Sequence, residues 1–335
     1  MKAKLALALL LAAPVGAHAD DLLRGEGPLA NAPSMLRPEI PAPGTPAMPL
    51  RIAPAKPATA DDAYAAYQRG FYKTAFDLAQ ARIAADKNDA SALTLLALLH
   101  ATGEGTDKDP KESLRLYREA ADLGEPNAAF AVGIAALKGQ GMPIDRALAK
   151  RMFEQAAAKG HAEARYNLGV MAIEAEAGQP DFSAAIDNFR RAAADGSADA
   201  AYSLGVLYHL GRGTDRNDAR AVEWFKQGAE GDNVPAMVEY AIMLFNGEGA
   251  PKDEAAAARW FLKAAQRNNP VAQNRAARLL AAGRGVAPDI VEAMKWHLLA
   301  RTAGIEDAWL DSRLSQLSAS QRAAVEEAVK RFGGG

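Results

Sequence analysis

The 335-residue chain contains no cysteine. Disulfide frameworks, thiol nucleophiles, cysteine-ligated zinc and lipid attachment through cysteine are therefore all excluded. Aromatic residues make up only 7% of the chain and the formal net charge is −2. No broad basic field exists to grip a nucleic acid, and none is expected as a partner. Histidine is scarce, with five in all: His18, His100, His161, His209 and His297. None lies in an H-x-x-x-H or H-E-x-x-H pattern, which would present two zinc ligands on one helical face. A Gly-x-Ser-x-Gly elbow is missing, as is a phosphate-binding Gly-x-x-x-x-Gly-Lys-Ser/Thr loop. These absences predict no enzyme, no cofactor and no metal.

Alanine is what the chain has in excess, with 78 residues, and 49% of all positions are hydrophobic. Alanine is favoured in helices and depleted in strands, so the composition predicts a helical, alanine-packed protein. That apolar content also argues against disorder along the whole length.

The N-terminus reads as an export signal at residues 1–19. Lys2 and Lys4 supply the positive end, Leu5 to Ala13 are continuously apolar, and Ala17-His18-Ala19 offers a cleavage site before Asp20. This apolar run is far short of the ~20 residues that span a bilayer, and no later run approaches that length. Cleavage between Ala19 and Asp20 predicts a periplasmic product with no membrane insertion; full secretion is the alternative. Residues 20–60 carry nine of the eighteen prolines, from Pro28 to Pro57. Proline lacks the amide donor a helix needs, so this stretch is expected to be a disordered, semi-rigid arm. It is read either as a docking peptide or as a plain tether.

From residue 90 the chain repeats every 36 residues, six times, without insertion. A Gly-x-Gly pair at Gly103/Gly105 returns at Gly139/Gly141, Gly211/Gly213, Gly247/Gly249 and Gly283/Gly285, and is replaced in one copy by Ala175/Ala177. Alanine fills the column Ala92, Ala128, Ala164, Ala200, Ala236, Ala272, and rings fill Tyr117, Phe153, Phe189, Phe225, Phe261, His297. Each copy reads as two helices. The glycine pair ends the first, and Asp109, Asp145, Asp181, Asn217, Asp253 or Asp289 caps the start of the second. One such hairpin cannot bury its apolar stripes alone, so copies must stack on their neighbours. The fold class that follows is all-α, an α/α superhelical solenoid of stacked antiparallel helix pairs.

Stretches such as Ala164-Arg165-Tyr166-Asn167-Leu168-Gly169, Ala200-Ala201-Tyr202-Ser203-Leu204-Gly205 and Gly247-Glu248-Gly249-Ala250-Pro251-Lys252-Asp253 resemble Sel1-like repeats, relatives of tetratricopeptide arrays. The resemblance covers residues 90–305 and implies a superhelix that binds other proteins. Exported bacterial members include regulators of envelope signalling and polysaccharide production, and host-interaction factors. Residues 61–89, around Gly70-Phe71-Tyr72-Lys73-Thr74-Ala75, resemble a tetratricopeptide hairpin and are expected to cap the N-terminal end. Residues 306–335 are expected to supply two C-terminal capping helices, the second capped by Ser318 or Ser320, and a frayed tail.

The function expected on this basis is a non-enzymatic periplasmic scaffold that binds a cell-envelope protein and modulates or assembles it. An envelope glycan or peptidoglycan hydrolase and a secreted host-interaction factor stand as alternatives. The candidate binding face is a second stripe on the first helices: Phe130 and Ile134, Tyr166 and Val170, Tyr202, Val206 and His209, and Phe245. These residues either line a groove for a partner segment or pack against adjacent hairpins.

Overall fold

The computed structural model describes residues 60–174 and 179–333. The export signal, the proline-rich arm up to residue 59 and the Ala175/Ala177 pair lie outside the described residues; Ala60, assigned to the arm above, opens the first helix. The described residues form sixteen helices and no strand. The solenoid class expected from the repeat is what the structure shows, as stacked helix pairs.

The helices divide between two compact units, one ending at Met171 and one beginning at Ala172. The first holds α1 (Ala60–Gln68), α2 (Tyr72–Ala85), α3 (Ala90–Thr102), α4 (Pro110–Asp122), α5 (Pro126–Lys138), α6 (Arg146–Ala158) and α7 (Ala162–Ile173) as far as Met171. The second holds α8 (Phe182–Ala194), α9 (Ala198–Leu210), α10 (Asp218–Glu230), α11 (Val234–Asn246), α12 (Glu254–Gln266), α13 (Pro270–Ala282), α14 (Ile290–Thr302), α15 (Ala308–Ser315) and α16 (Ala319–Gly333). Within each unit contacts run chiefly between helices adjacent in the chain, as a repeat array requires. The boundary falls within the copy spanning 162–197, the one that lacks both glycines.

The helices start and stop for local reasons. All six residues of the acid-amide column accept a hydrogen bond from a backbone N–H of the helix that follows. Asp109 takes two, from Lys111 and Glu112, at 3.0 Å each. First helices have caps of their own, on a column that runs Asp89, Glu125, His161, Ser197, Asn233 and Asn269. Glu125, Ser197, Asn233 and Asn269 each accept from an N–H one turn inside. Ser318, rather than Ser320, caps α16: its hydroxyl accepts from Gln321 N–H while Gln321 Oε1 accepts from Ser318 N–H.

The two glycines of each pair have different tasks. Gly247 ends α11 in the left-handed region, at φ 76°, as a C-terminal cap. Gly249, also left-handed at φ 69°, lies against the backbone of Asp218 at the start of α10, one repeat back, where a Cβ would collide with the carbonyl. Gly141 approaches the Pro110 carbonyl of the preceding repeat in the same way, with 2.9 Å to an added Cβ.

Packing is dominated by the alanine and ring columns. Phe153, Phe189, Phe225 and Phe261 are fully buried, as are the alanines of the Ala92 column. The Phe153 ring lies on Gly133 and the Phe225 ring on Gly205, each so close that a methyl on the glycine would meet ring carbons at 2.6 and 2.5 Å. Between copies, Gln155 donates to the Ala121 carbonyl at 2.6 Å and Gln227 to the Ala193 carbonyl at 2.9 Å.

In the second unit α15, α16 and the turn between them extend the core with Leu310, Val325 and Leu317, and Phe332 meets Trp296 edge-on at 5.1 Å. Asp307 is buried there and fully engaged. It accepts from both the Nε and Nη2 of Arg278, from Asn274 at 2.8 Å and from Leu310 N–H at 3.2 Å.

Candidate functional site

The candidate stripe lies on first helices, where the 36-residue period sets Phe130, Tyr166, Tyr202 and Val238 at one position and Ile134, Val170, Val206 and Ile242 at the next turn. In the first unit Phe130 is half-buried, stacked on the His161 ring at 4.5 Å and tilted against Phe153 at 5.7 Å. Ile134 is half-buried. Tyr166 retains 9% of its surface and Val170 5%. Packing within the array therefore uses most of this part of the stripe.

The second unit leaves more of it accessible. Tyr202, Val206 and His209 on α9 and Ile242 on α11 are half-buried, with Tyr202 tilted over Phe225 at 5.9 Å. Phe245 is 5% exposed, covered by the guanidinium of Arg284 at 4.4 Å from its ring centroid and by Lys252 at 5.6 Å. None of the eight candidate residues is fully exposed. Tyr202, Val206 and Ile242 are half-buried apolar members of the face, and Val206 and Ile242 occupy equivalent positions on successive first helices.

Charged pairs rim this strip. His209 Nδ1 lies 2.8 Å from Asp218 Oδ1, and Arg216 donates to Asp218 Oδ2 at 2.8 Å. Burial disfavours the Asp218 charge, but its bonds to Arg216 and His209 outweigh that and hold the carboxyl below the usual range. On α11, burial lifts the Glu239 carboxyl above its ordinary value, with His209 opposing and Glu248 adding to the shift. Glu239 escaped the sequence reading because a lone glutamate carries no motif. Its column offered a signal: Leu95, Ala131, Asn167, Ser203 and Arg275 stand at the equivalent positions, so the scaffold does not prescribe an acid there.

The remaining histidines have structural surroundings. His297 is fully buried in the ring column, with Nε2 2.9 Å from Asp311 Oδ1 and Nδ1 without a partner. His100 packs edge-on to Phe76 at 5.7 Å. Among the described residues no group of three His, Asp or Glu side chains is placed to hold a metal ion. No described helix is long and apolar enough to cross a membrane.

A model of the Sel1 repeat matches six consecutive segments, 90–125, 126–161, 162–197, 198–233, 234–269 and 270–305. Among solved structures, a Sel1 repeat protein from Oxalobacter formigenes is similar at 27% identity and a TM-score of 0.66, over 73% of this chain and 100% of that one. The protective antigen c5321 of uropathogenic Escherichia coli, which displays an SLR fold, aligns at 21% identity and a TM-score of 0.45, over 82% of this chain and 68% of its own. No curated protein matches the sequence.

Proposed function

The chain belongs to the Sel1 repeat family, and from that membership we propose that it is a non-enzymatic, exported scaffold that binds another cell-envelope protein and modulates its activity or assembly. Sel1 repeat arrays are generally protein–protein interaction scaffolds. The observation that carries the proposal is the strip formed by Tyr202, Val206 and Ile242. Half-buried apolar side chains on successive first helices, rimmed by charged pairs, are suited to a partner's side chains with the anatomy of an apolar centre and a polar rim. Delivery to the periplasm is supported by the charged, apolar and Ala-x-Ala segments of residues 1–19.

The test is site-specific photo-crosslinking in intact bacteria, with the photoreactive residue at Val206 or Ile242 and, as a control, at Lys226 on α10. A discrete adduct with an envelope protein from the first two positions but not the third is the expected result. Equal background labelling at all three would overturn the scaffold reading. Fractionation of the same cells separates periplasmic from secreted product, and protein retained in the cytoplasm would overturn the export assignment.

A further inference from the structure

A repeat array carries its own internal comparison: a residue the stack requires recurs in its column, and one that breaks its column answers to something else. In the second unit such departures converge on one point. Tyr208 on α9 stands where the other copies have His100, Ala136, Ala172, Leu244 and Leu280. Arg220 on α10 stands where they have Glu112, Leu148, Ala184, Ala256 and Glu292. Arg190, from α8, is no departure, since its column holds Arg118 and Lys226 beside Glu154, Leu262 and Leu298, but it is brought to the same point.

Tyr208 is 2% exposed, while the side chain of Arg190, bonded to its hydroxyl, is 47% exposed. Arg190 Nη2 donates to Tyr208 Oη at 2.5 Å, and Arg220 Nη1 reaches the same oxygen at 3.5 Å. Both guanidiniums also lie over the ring, at 6.0 and 5.5 Å from its centroid. The pair is short of negative charge. Arg220 has no carboxylate within 4.0 Å among the described residues, and Asp187 stands 3.8 Å from Arg190, beyond hydrogen-bonding range. The phenolic hydrogen of Tyr208 has no acceptor among the described residues. Burial raises the phenol's pKa, but the two arginines overcome this and hold it below the ordinary tyrosine value, the mark of a net cationic setting.

Two like charges sharing one neutral oxygen repel each other, and each guanidinium carries five N–H donors, of which this oxygen engages one. We propose that Arg190, Tyr208 and Arg220 form an oxyanion-binding site for a carboxylate or phosphate oxygen, supplied by an acidic side chain of the partner protein. An anion seated there accepts charge-assisted hydrogen bonds from both guanidiniums and takes the phenolic O–H as a third donor. The source of the anion rests on the scaffold reading above; the site itself does not.

The experiment is calorimetric titration of the full mature chain at low ionic strength, with an N-acetylated, C-amidated tetraglutamate peptide and with inorganic phosphate as probes. The wild-type chain is expected to bind the peptide, and more weakly as salt rises through the range that screens such pairs. Arg220→Ala is expected to weaken it by about tenfold or more, with Tyr208→Phe, which keeps the buried ring, weakening it several-fold. Lys226→Ala, which removes a cation elsewhere on α10, is expected to leave binding unchanged, and circular dichroism checks that each variant is folded. Phosphate that competes at lower concentration than the peptide would place the anion's source in a free ion and leave the site standing. Absence of binding by either probe, or equal binding in wild type and a folded Arg220→Ala variant, overturns the site. Peptide binding that survives where no envelope protein is crosslinked counts against the scaffold reading alone.

Discussion

Arg284 closes on Glu254, thirty residues earlier in the chain, through contacts of 2.6 and 3.3 Å, and Lys252 stands 3.0 Å from the same carboxylate. Arg284 lies between Gly283 and Gly285, and Glu254 is the first residue of α12. The pair thus straps the turn of the sixth repeat to the second helix of the fifth.

This strap gives a pH signature. Its hydrogen bonds to Arg284 and Lys252 pull the Glu254 carboxyl from 4.5 down to about 2. A depressed folded-state value means stability that is complete above the unfolded value and is lost as pH falls from about 4.5 to about 2. Glu254→Gln is expected to lose about 1 kcal/mol at pH 7, given partial exposure of the pair. Urea unfolding of wild type and variant should converge towards pH 2; a gap that stays constant with pH would refute the assignment.

Two left-handed glycines separate strain from collision. Gly304 at φ 86° has nothing within 4 Å of an added Cβ, whereas Gly285 at φ 67° lies against the Glu254 carbonyl. Gly304→Ala is expected to cost about 1–2 kcal/mol from the backbone conformation alone. Gly285→Ala adds displacement of a neighbouring helix start and should cost clearly more, about 3 kcal/mol or above. Matching losses for the two in urea titrations would show that the docking contact contributes nothing.

The contact between Gly205 and the Phe225 ring predicts a coupled pair. Gly205→Ala overpacks the contact and should destabilise by about 1–3 kcal/mol. Phe225→Ala leaves a cavity and should cost about 3–5 kcal/mol. Combining Gly205→Ala with Phe225→Leu is expected to recover part of the loss, giving a coupling above about 0.5 kcal/mol in a double-mutant cycle. Strict additivity would mean that ring and glycine do not report on one contact.

His297 is the exception in a column of rings. Its Nδ1 is buried without a partner, while its companion Asp311 keeps Arg301 at 3.1 Å. Replacing an orphaned polar atom by a well-packed ring removes a desolvation cost of about 1–3 kcal/mol. His297→Phe is therefore expected to match or exceed wild-type stability, measured as Tm. A fall of several degrees would mean that the Asp311 bond outweighs the orphaned nitrogen.

How far the sequence could be read depended on whether a feature recurred. Asp109 and its equivalents, the ring column and the alanine columns are legible because six copies repeat the same physical demand, and the all-α solenoid follows from them. Single-copy features were illegible for the complementary reason. Glu239, Tyr208 and Arg220 have no motif, and their surroundings are assembled from separate helices: Tyr208 meets Arg190 and Arg220 across 18 and 12 positions. The stripe shows a further limit. Helical spacing put Tyr166 and Tyr202 at equivalent positions, but only packing decides that the first is buried while the second keeps part of its ring accessible. The second glycine of each pair was visible as a helix breaker; its contact with the previous repeat's backbone was not, since no local pattern records a partner one repeat back.

That backward contact makes the array modular in a directional sense. Gly285 reads only the backbone at the start of the preceding second helix, and every such helix starts in the same register. Excision of residues 234–269 would set Gly285 against Asp218 in place of Glu254, the backbone it now meets and the one Gly249 now meets being equivalent. Arg284 would then face Asp218, again a carboxylate. A whole 36-residue copy can thus be lost at this joint while the new junction inherits both its steric fit and its opposite charges, so the length of the array is free to vary there where the joint is not.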